Sequence, residues 1–468
     1  MATRTEHDSF GAIAVPAQAL WGAQTARSLQ YFAIGEQRMP LPLVHAMALV
    51  KWAAAGVNTE LGLLPPAMGK AVADAAWRVA QGEFDAEFPL SVWQTGSGTQ
   101  SHMNVNEVVA TLATRKLAAD GPGQDHVSPH DHVNLGQSSN DVFPTAMHVA
   151  VALQARKALW PALQALRGAL GVQAQAWAGV LKTGRTHLQD ATPVTLGQEF
   201  GGYVAQLDLC WASLQQALVG VQALAIGGTA VGTGLNTHPA FGARVAASLS
   251  QRLGLPMHQA DNLFAAMAGH EALVAFHSAL KMLAVALTKI ANDIRLMGSG
   301  PRAGLGELQL PENEPGSSIM PGKVNPTQVE ALCMVCAQVM GHDVAITFAA
   351  SLGQFELNVY KPLIALNTLD SLRLLSDAMR SFAQHCVAGL QVNGARVDEL
   401  LNRSLMLVTA LTPHIGYAGA AAVARHAQAT GSTLRDAALA LGAVSAEQFD
   451  AWVQPQRMLG RSRSCRCA

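Results

Sequence analysis

Apolar residues recur at spacings of three and four along much of this chain, as in Leu280, Leu283, Leu287 and Ile290. That is the period of a helix with a buried face. The pattern predicts helices near residues 43–62, 67–81 and 103–119, the last followed by the breaker Asp120-Gly121-Pro122-Gly123. Longer helices are predicted near 142–178, 195–224, 260–297, 324–352 and 356–388. Pro161 lies inside the first of these, and periodicity on both sides of it predicts a kink rather than an end. Five helices of about 30 residues are each roughly 45 Å long and pack as an elongated bundle. Several are apolar almost all the way round, so one bundle would leave greasy faces uncovered, and self-association is the natural way to cover them.

The pattern divides the chain into three domains. Residues 1–137 mix extended segments with shorter helices, 138–392 carry the central five-helix bundle, and 393–468 form a small helical domain. The last ends in a basic tail, Arg461 to Ala468, expected to be disordered. One segment invites a membrane reading: Leu209 to Ala243 contains no Asp, Glu, Lys or Arg. Gln215, Gln216, Gln222 and the glycines at 227, 228, 232 and 234 interrupt it too often for a span of about 20 apolar residues. A helix buried on every side of a bundle is expected instead.

Composition changes this picture little. Of 468 residues half are apolar and 13% charged, with a net charge of −1. Neither a nucleic-acid footprint nor attraction to an anionic membrane follows from such a balance. The polar start Met1 to Asp8 is not a secretory signal, and six cysteines in so long a chain make no disulfide framework. Cys333 and Cys336 read as ordinary buried thiols, and the expected compartment is the reducing cytoplasm.

Four polar clusters interrupt apolar context. They are Thr95 to Ser101, Gln137 to Asp141, Gly184 to Asp190, and Gly316 to Pro326 with Glu330 one turn further on. Taken singly, the first two read as helix caps. The fourth is a Gly-rich loop holding two serines, Lys323 and Asn325, a poor structural element but a good lid over an anion. The second and third clusters flank a predicted helix roughly 50 Å long. If both serve one small substrate they come from different chains, which predicts sites shared between subunits and an inactive monomer.

Ser317-Ser318-Ile319-Met320-Pro321-Gly322-Lys323-Val324-Asn325-Pro326 resembles the signature of the fumarase/aspartase superfamily. Pro311-Glu312-Asn313-Glu314-Pro315 and the stretch from Gly228 to Pro239 resemble class II fumarases in particular. The likeness runs from Arg4-Thr5-Glu6-His7-Asp8 to Trp452. It implies a mainly α, three-domain fold with five central helices per chain and twenty in a homotetramer. It also implies reversible hydration of fumarate to L-malate, a citric acid cycle step, without metal or organic cofactor.

By the same resemblance Ser317 is the base that takes the C–H proton, its alkoxide stabilised by loop N–H groups and Lys323. Lys323 and Asn325 grip substrate carboxylate. His187 is the acid/base on the hydroxyl side, and Glu330 orients its ring. Ser97, Thr99, Ser138, Ser139, Asn140, Thr186 and Ser318 supply neutral hydrogen bonds, with Gly98 and Val324 among the binding positions. The chain departs from the family in two places. His102 stands where Asn is common, and Ser128-Pro129-His130-Asp131, preceded by Asp125, replaces the usual His-Pro-Asn-Asp of a second dicarboxylate site. Flexible loop histidines at 126, 130 and 132 lack a closed metal-ligand set. Two rival chemistries share the scaffold, aspartate ammonia-lyase and a hydratase of a substituted fumarate. A third reading is a structural protein that has lost activity, and the intact Ser317, Lys323, Asn325, His187 and Glu330 argue against it.

Overall fold

The structure, a computed structural model, describes residues 2–120 and 126–459. Asp125, the breaker glycines at 121 and 123, and the tail from Arg461 lie outside the described residues. The fold is mainly helical, and β-structure among the described residues is confined to two-stranded pairs and isolated bridges. Two compact units divide the chain: residues 1–161, 210–284 and 335–376 form one, and 162–209, 285–334 and 377–468 the other.

In the first unit, Leu41–Glu60 packs on Pro66–Ala80, Ser139–Gln154 and Phe241–Leu253. Prolines sit in the first turns of Leu41–Glu60 and Pro66–Ala80, where the missing N–H has no partner to lose. Phe241–Leu253 stops at Gly254, in the left-handed conformation. Leu43, Met47, Val50, Phe143, Met147 and Phe241 are among its fully buried side chains. A buried polar chain joins Asp343 to His277 Nδ1 (3.0 Å), His277 Nε2 to Ser371 (2.8 Å) and Ser371 to His342 (3.0 Å).

In the second unit, strands Leu181–Thr186 and Gln189–Thr195 form an antiparallel hairpin. It packs on Gly394–Arg403 and the 3-10 segments Leu405–Leu411 and Pro455–Leu459. Thr412–Thr430, Leu434–Ala440 and Ala446–Trp452 close a small core around Leu411, Val423, Ala437 and Phe449.

Several expectations need correction. The helix expected at 142–178 begins at Ser139 and is interrupted by a π-turn, Ala155–Leu159, before Trp160–Ala176. Pro161 has no N–H for the carbonyl four residues back, and the widened turn just before it absorbs the mismatch. The stretch 260–297 is two helices, Leu263–Ala268 and Glu271–Met297, because Gly269 is extended (φ −98°, ψ 151°). Lys361–His385 starts later than expected: Asn358 accepts from the Tyr360 N–H and donates to the Ala349 carbonyl, making a turn there.

The uncharged segment 209–243 is not a helix buried all round. Leu196–Val221 ends within it, and in one chain it buries Leu207, Cys210, Leu214 and Leu218 while exposing Leu209 and Val219. Glu271–Met297, Thr327–Ala350 and the stretch Leu405–Thr430 are, by length and composition alone, long and apolar enough to cross a membrane. Met334, Val344 and Phe348 are exposed on the second of these.

His102, His148, His270 and His277 are buried, and burial holds each imidazole below its ordinary pKa, His148 at about 4. A depressed folded value means stability present above the unfolded pKa and lost as pH falls below it. Burial raises Glu107, Asp141 (to about 6) and Glu199, which take up protons first in the folded protein and partly oppose that loss. His342 is lowered as well and Asp343 is held below the ordinary carboxylate range, so uptake on unfolding outweighs what the three raised carboxylates release. The unfolding free energy should therefore fall from pH 7 to pH 5, by about 1.4 kcal/mol per pH unit for each net proton, and the urea midpoint with it. A midpoint that is level or rising toward pH 5 would mean these histidines are not held neutral.

Candidate active site

The loop from Gly316 to Asn325 is closed at its neck, where the Asn325 amide donates to the Gly316 carbonyl. Inside it the Ser317 Oγ accepts from the N–H groups of Met320 (3.0 Å) and Ile319 (3.3 Å). Two donors already aimed at that oxygen favour its anionic form, as a serine base requires. Gly322 takes φ +77°, and Ile319 is 83% exposed, so the loop offers its tip outward. Lys323, Gly322 and Val324 line a cavity of about 610 Å³ together with Gln309, Glu312 and Gln391. Glu330 sits in the first turn of Thr327–Ala350, where a carboxylate suits the helix dipole. Its side chain is exposed.

His187 occupies the two-residue turn of the hairpin whose last paired residues are Thr186 and Gln189. His187 (φ 57°) and Leu188 (φ 60°) are both left-handed, a conformation that hairpin turns normally give to Asn or Gly. Each costs on the order of 1 kcal/mol, and such strain is found where a side chain must be presented. The turn holds the His187 ring at the exposed tip of a rigid ladder. Behind it Arg185 makes a two-pronged ion pair with the fully buried Glu307, at 2.9 Å on both arms. Lys182, also buried, contacts Glu307 (3.4 Å) and Glu199 (2.8 Å).

In the first unit the two remaining clusters meet. Thr99 opens Thr99–Asp120, Ser97 and Thr99 share a hydroxyl hydrogen bond (2.9 Å), and Gly98 at φ +79° lies where any Cβ would strike the Phe143 ring. Ser138 caps Ser139–Gln154 in a reciprocal box with Asp141, so the capping expectation holds for it. Asn140 reaches the Ala230 carbonyl (2.8 Å), and Ser139 bonds to His102 (2.7 Å). Asp141 also accepts from the Gly227 and Thr229 N–H groups (2.9 and 3.1 Å).

Lys51 and Lys361 are absent from the residues picked out by motif, and Asp141, inside the second polar cluster, is given no role of its own there. All three are buried. Burial pulls Lys361 down to about 7, while Asp141 opposes the shift, and its Nζ has no hydrogen-bond partner among the described residues. A signal existed for Lys51: it is the lone Asp, Glu, Lys or Arg between Leu41 and Thr59.

Not everything is brought together. Among the described residues no hydrogen bond joins His187, Ser317 and Glu330 within one chain. Ser128, Pro129, His130 and Asp131 begin a capped π-turn, Pro129–Val133, beside a cavity of about 520 Å³. Glu6, Asp8 and Glu107 line that cavity along with His7, His126 and His130. Of these three carboxylates, Glu6 is paired with Arg4 and Asp8 with Arg27. His130 bonds to Gln24 (2.8 Å), and the His132 Nδ1 accepts from the Ser128 N–H (2.9 Å).

Residues 11–341 match a family described as lyase, and residues 407–460 match the fumarase C C-terminus. The chain is 62% identical over 457 residues to the class II fumarate hydratase of Chromobacterium violaceum, covering 97% of this chain and 99% of that one. It is 58% identical over 460 residues to the class II fumarate hydratase of Methylorubrum extorquens, covering 98% of each. Among solved structures, the class II fumarase of Schistosoma mansoni superposes with a TM-score of 0.95 at 45% identity, covering 98% of this chain and 99% of that one.

Proposed function

Because the chain belongs to the class II fumarate hydratases, we propose that its four polar clusters form one dicarboxylate site assembled from several chains of a homotetramer. The enzyme is a hydro-lyase that adds water to fumarate, reversibly, to give L-malate. In the direction of dehydration, the Ser317 alkoxide takes a C3 proton of malate. The electron pair moves into the adjacent carboxylate as an aci-carboxylate. Its return expels the C2 hydroxyl, which leaves as water with a proton from His187. The observation that carries this reading is Ser317 Oγ beneath two backbone donors, in a loop that also carries Lys323.

Lys323 and Asn325 hold a carboxylate, Glu330 of whichever chain faces His187 orients its ring, and Ser97, Thr99, Ser138, Ser139, Asn140, Thr186 and Ser318 complete the grip. Gly98 and Val324 belong to the binding surface. The division at 137/138 and 392/393 belongs to the same reading. So do a cytoplasmic location and a place in the citric acid cycle.

Tetramer formation is supported by the exposed apolar side chains of Leu209, Val219, Met334, Val344 and Phe348. Lipid is a poor cover for these helices, since Glu199 and Asp208 share Leu196–Val221 and Glu330 and Asp343 share Thr327–Ala350. The net charge of −1 offers nothing to nucleic acid.

The test starts from L-malate and follows the ultraviolet absorbance of the fumarate double bond, with L-aspartate in parallel. Absorbance should rise with malate; a rise with aspartate alone would mean an ammonia-lyase. Shared sites are tested by co-assembling His187→Asn and Asn140→Ala chains, each nearly inactive alone. Random mixing should restore about a quarter of native activity. No recovery would place both residues in one chain's site.

A further inference from the structure

With Lys51 as an ammonium, the proton count around it sets the direction of a hydrogen bond at the proposed substrate site. Lys51 and His102 are each 0% exposed. The Lys51 Nζ contacts Asn134 Oδ1 (3.0 Å), Gln137 Oε1 (2.9 Å) and His102 Nε2 (2.5 Å). Both amides are held in one orientation by their own NH2 groups. Asn134 donates to the Gln137 carbonyl, and Gln137 donates to the carbonyls of Val133 and Leu135, none of which could donate in return. Two acceptors therefore face Lys51, and the third proton of an ammonium goes to His102. A ring nitrogen that accepts there carries no proton, so the proton of a neutral imidazole sits on Nδ1. Nδ1 lies 2.7 Å from Ser139 Oγ.

We propose that His102 is a positioning residue, a neutral Nδ1–H imidazole that accepts from the Lys51 ammonium and donates to Ser139 Oγ, so that the Ser139 hydroxyl proton is aimed at a substrate carboxylate. This rests on the reading of Ser139 as a carboxylate donor. The arrangement sends the influence of a buried positive charge to Ser139 through a neutral ring. Burial, Lys51 and His130 all hold the His102 pKa far below its ordinary value, consistent with a neutral ring. Burial holds the Lys51 pKa well below its ordinary value, while the nearby Asp141 works in the opposite direction and favours the ammonium on which the relay depends. An uncharged Lys51 would reverse the whole relay, with Ser139 donating inward to His102 and lost as a donor to substrate. An Asn amide at position 102 can copy the proposed polarity, carbonyl toward Lys51 and NH2 toward Ser139. A Leu cannot.

The test compares His102→Leu, His102→Asn, Ser139→Ala and the double variant His102→Leu/Ser139→Ala as tetramers, reading KM and kcat separately. His102→Leu should raise KM for malate about tenfold, with a smaller change in kcat, the scale of one hydrogen bond to a charged group. His102→Asn should bring KM back to within about threefold of native. In the Ser139→Ala background His102→Leu should add nothing further. Full additivity, or an unchanged KM in His102→Leu beside a raised one in Ser139→Ala, would overturn the positioning role. An unchanged KM in Ser139→Ala would instead overturn the reading of Ser139 itself. Should His102→Leu fail to fold, neutron diffraction from the native enzyme decides. Deuterium on His102 Nδ1 alone, with three on Lys51 Nζ, is the expected result; deuterium on Nε2 would overturn the proposal.

Discussion

Replacing Ser317 with Ala should lower kcat roughly a thousandfold, the scale of a lost general base, while leaving the tetramer and its melting temperature in place. The substitution removes one oxygen from an accessible loop. The N–H groups of Ile319 and Met320, which that oxygen accepts from, lie in an exposed segment where water can replace it. Folding therefore loses little, and the loss in rate reports chemistry. KM should move less than kcat, because the carboxylate contacts assigned to Lys323, Asn325 and the Ser139 region do not involve Ser317. A variant that keeps even a tenth of native kcat would end the base assignment. Failure to assemble would instead show that the loop, and not the oxygen, was the casualty. Solvent isotope exchange into malate at C3 gives a second readout, since it requires the proton-abstraction step alone and should disappear with the turnover.

Long periodic helices were legible because burial writes a three-and-four spacing into a helix that covers a core with one face, as Pro66–Ala80 does, while Leu41–Glu60, buried nearly all round, reads as a continuous apolar run. Their interruptions were less legible. Nothing in the apolar period at Ala268-Gly269-His270 separates a tolerated glycine from one that goes extended, and neighbouring structure decides it. The hairpin carrying His187 was hidden for another reason. Its turn uses His-Leu in place of Asn-Gly, so the usual hairpin signal is missing at the one point where the chain gives up local preference to present a side chain.

The polar clusters on loops could be read from their residue types, whereas the partners of the buried charges behind them could not. Lys51 and Asp141 act through partners supplied by other elements, and spacing along the chain does not reveal that His102 would bridge to Ser139. The converse hazard also appears. Asp343, His277 and Ser371 reproduce a nucleophile–base–acid arrangement, yet Ser371 and His277 are completely buried and His342 occupies the serine as well. With His277 Nδ1–H on Asp343 and its Nε2 accepting from Ser371, His342 must donate to the Ser371 oxygen. That closed chain orders a helix interface and leaves no hydroxyl for a substrate.

Glu307→Leu should destabilise the protein by about 3–5 kcal/mol, the usual cost of leaving buried charges unpaired. Glu307 is 0% exposed and receives both arms of Arg185 as well as a contact from Lys182, itself buried. Removing that carboxylate leaves Lys182 with Glu199 alone and Arg185 with no carboxylate partner. The loss should be larger than for Glu307→Gln, which keeps one carbonyl oxygen to accept from Arg185. Because Arg185 precedes Thr186 and His187 on the same strand, activity should fall along with stability, and mainly in kcat. Combining Glu307→Leu with Lys182→Met should recover part of the stability, since the buried ammonium left with one of its two carboxylates is then gone, but little of the activity, because Arg185 is still unanchored. The readouts are the urea midpoint and the half-life of thermal inactivation, which applies even where unfolding is irreversible. A Glu307→Leu enzyme of native midpoint would show that the buried carboxylate stabilises nothing, and one with a lowered midpoint but native kcat would show that His187 is held by the strained turn alone.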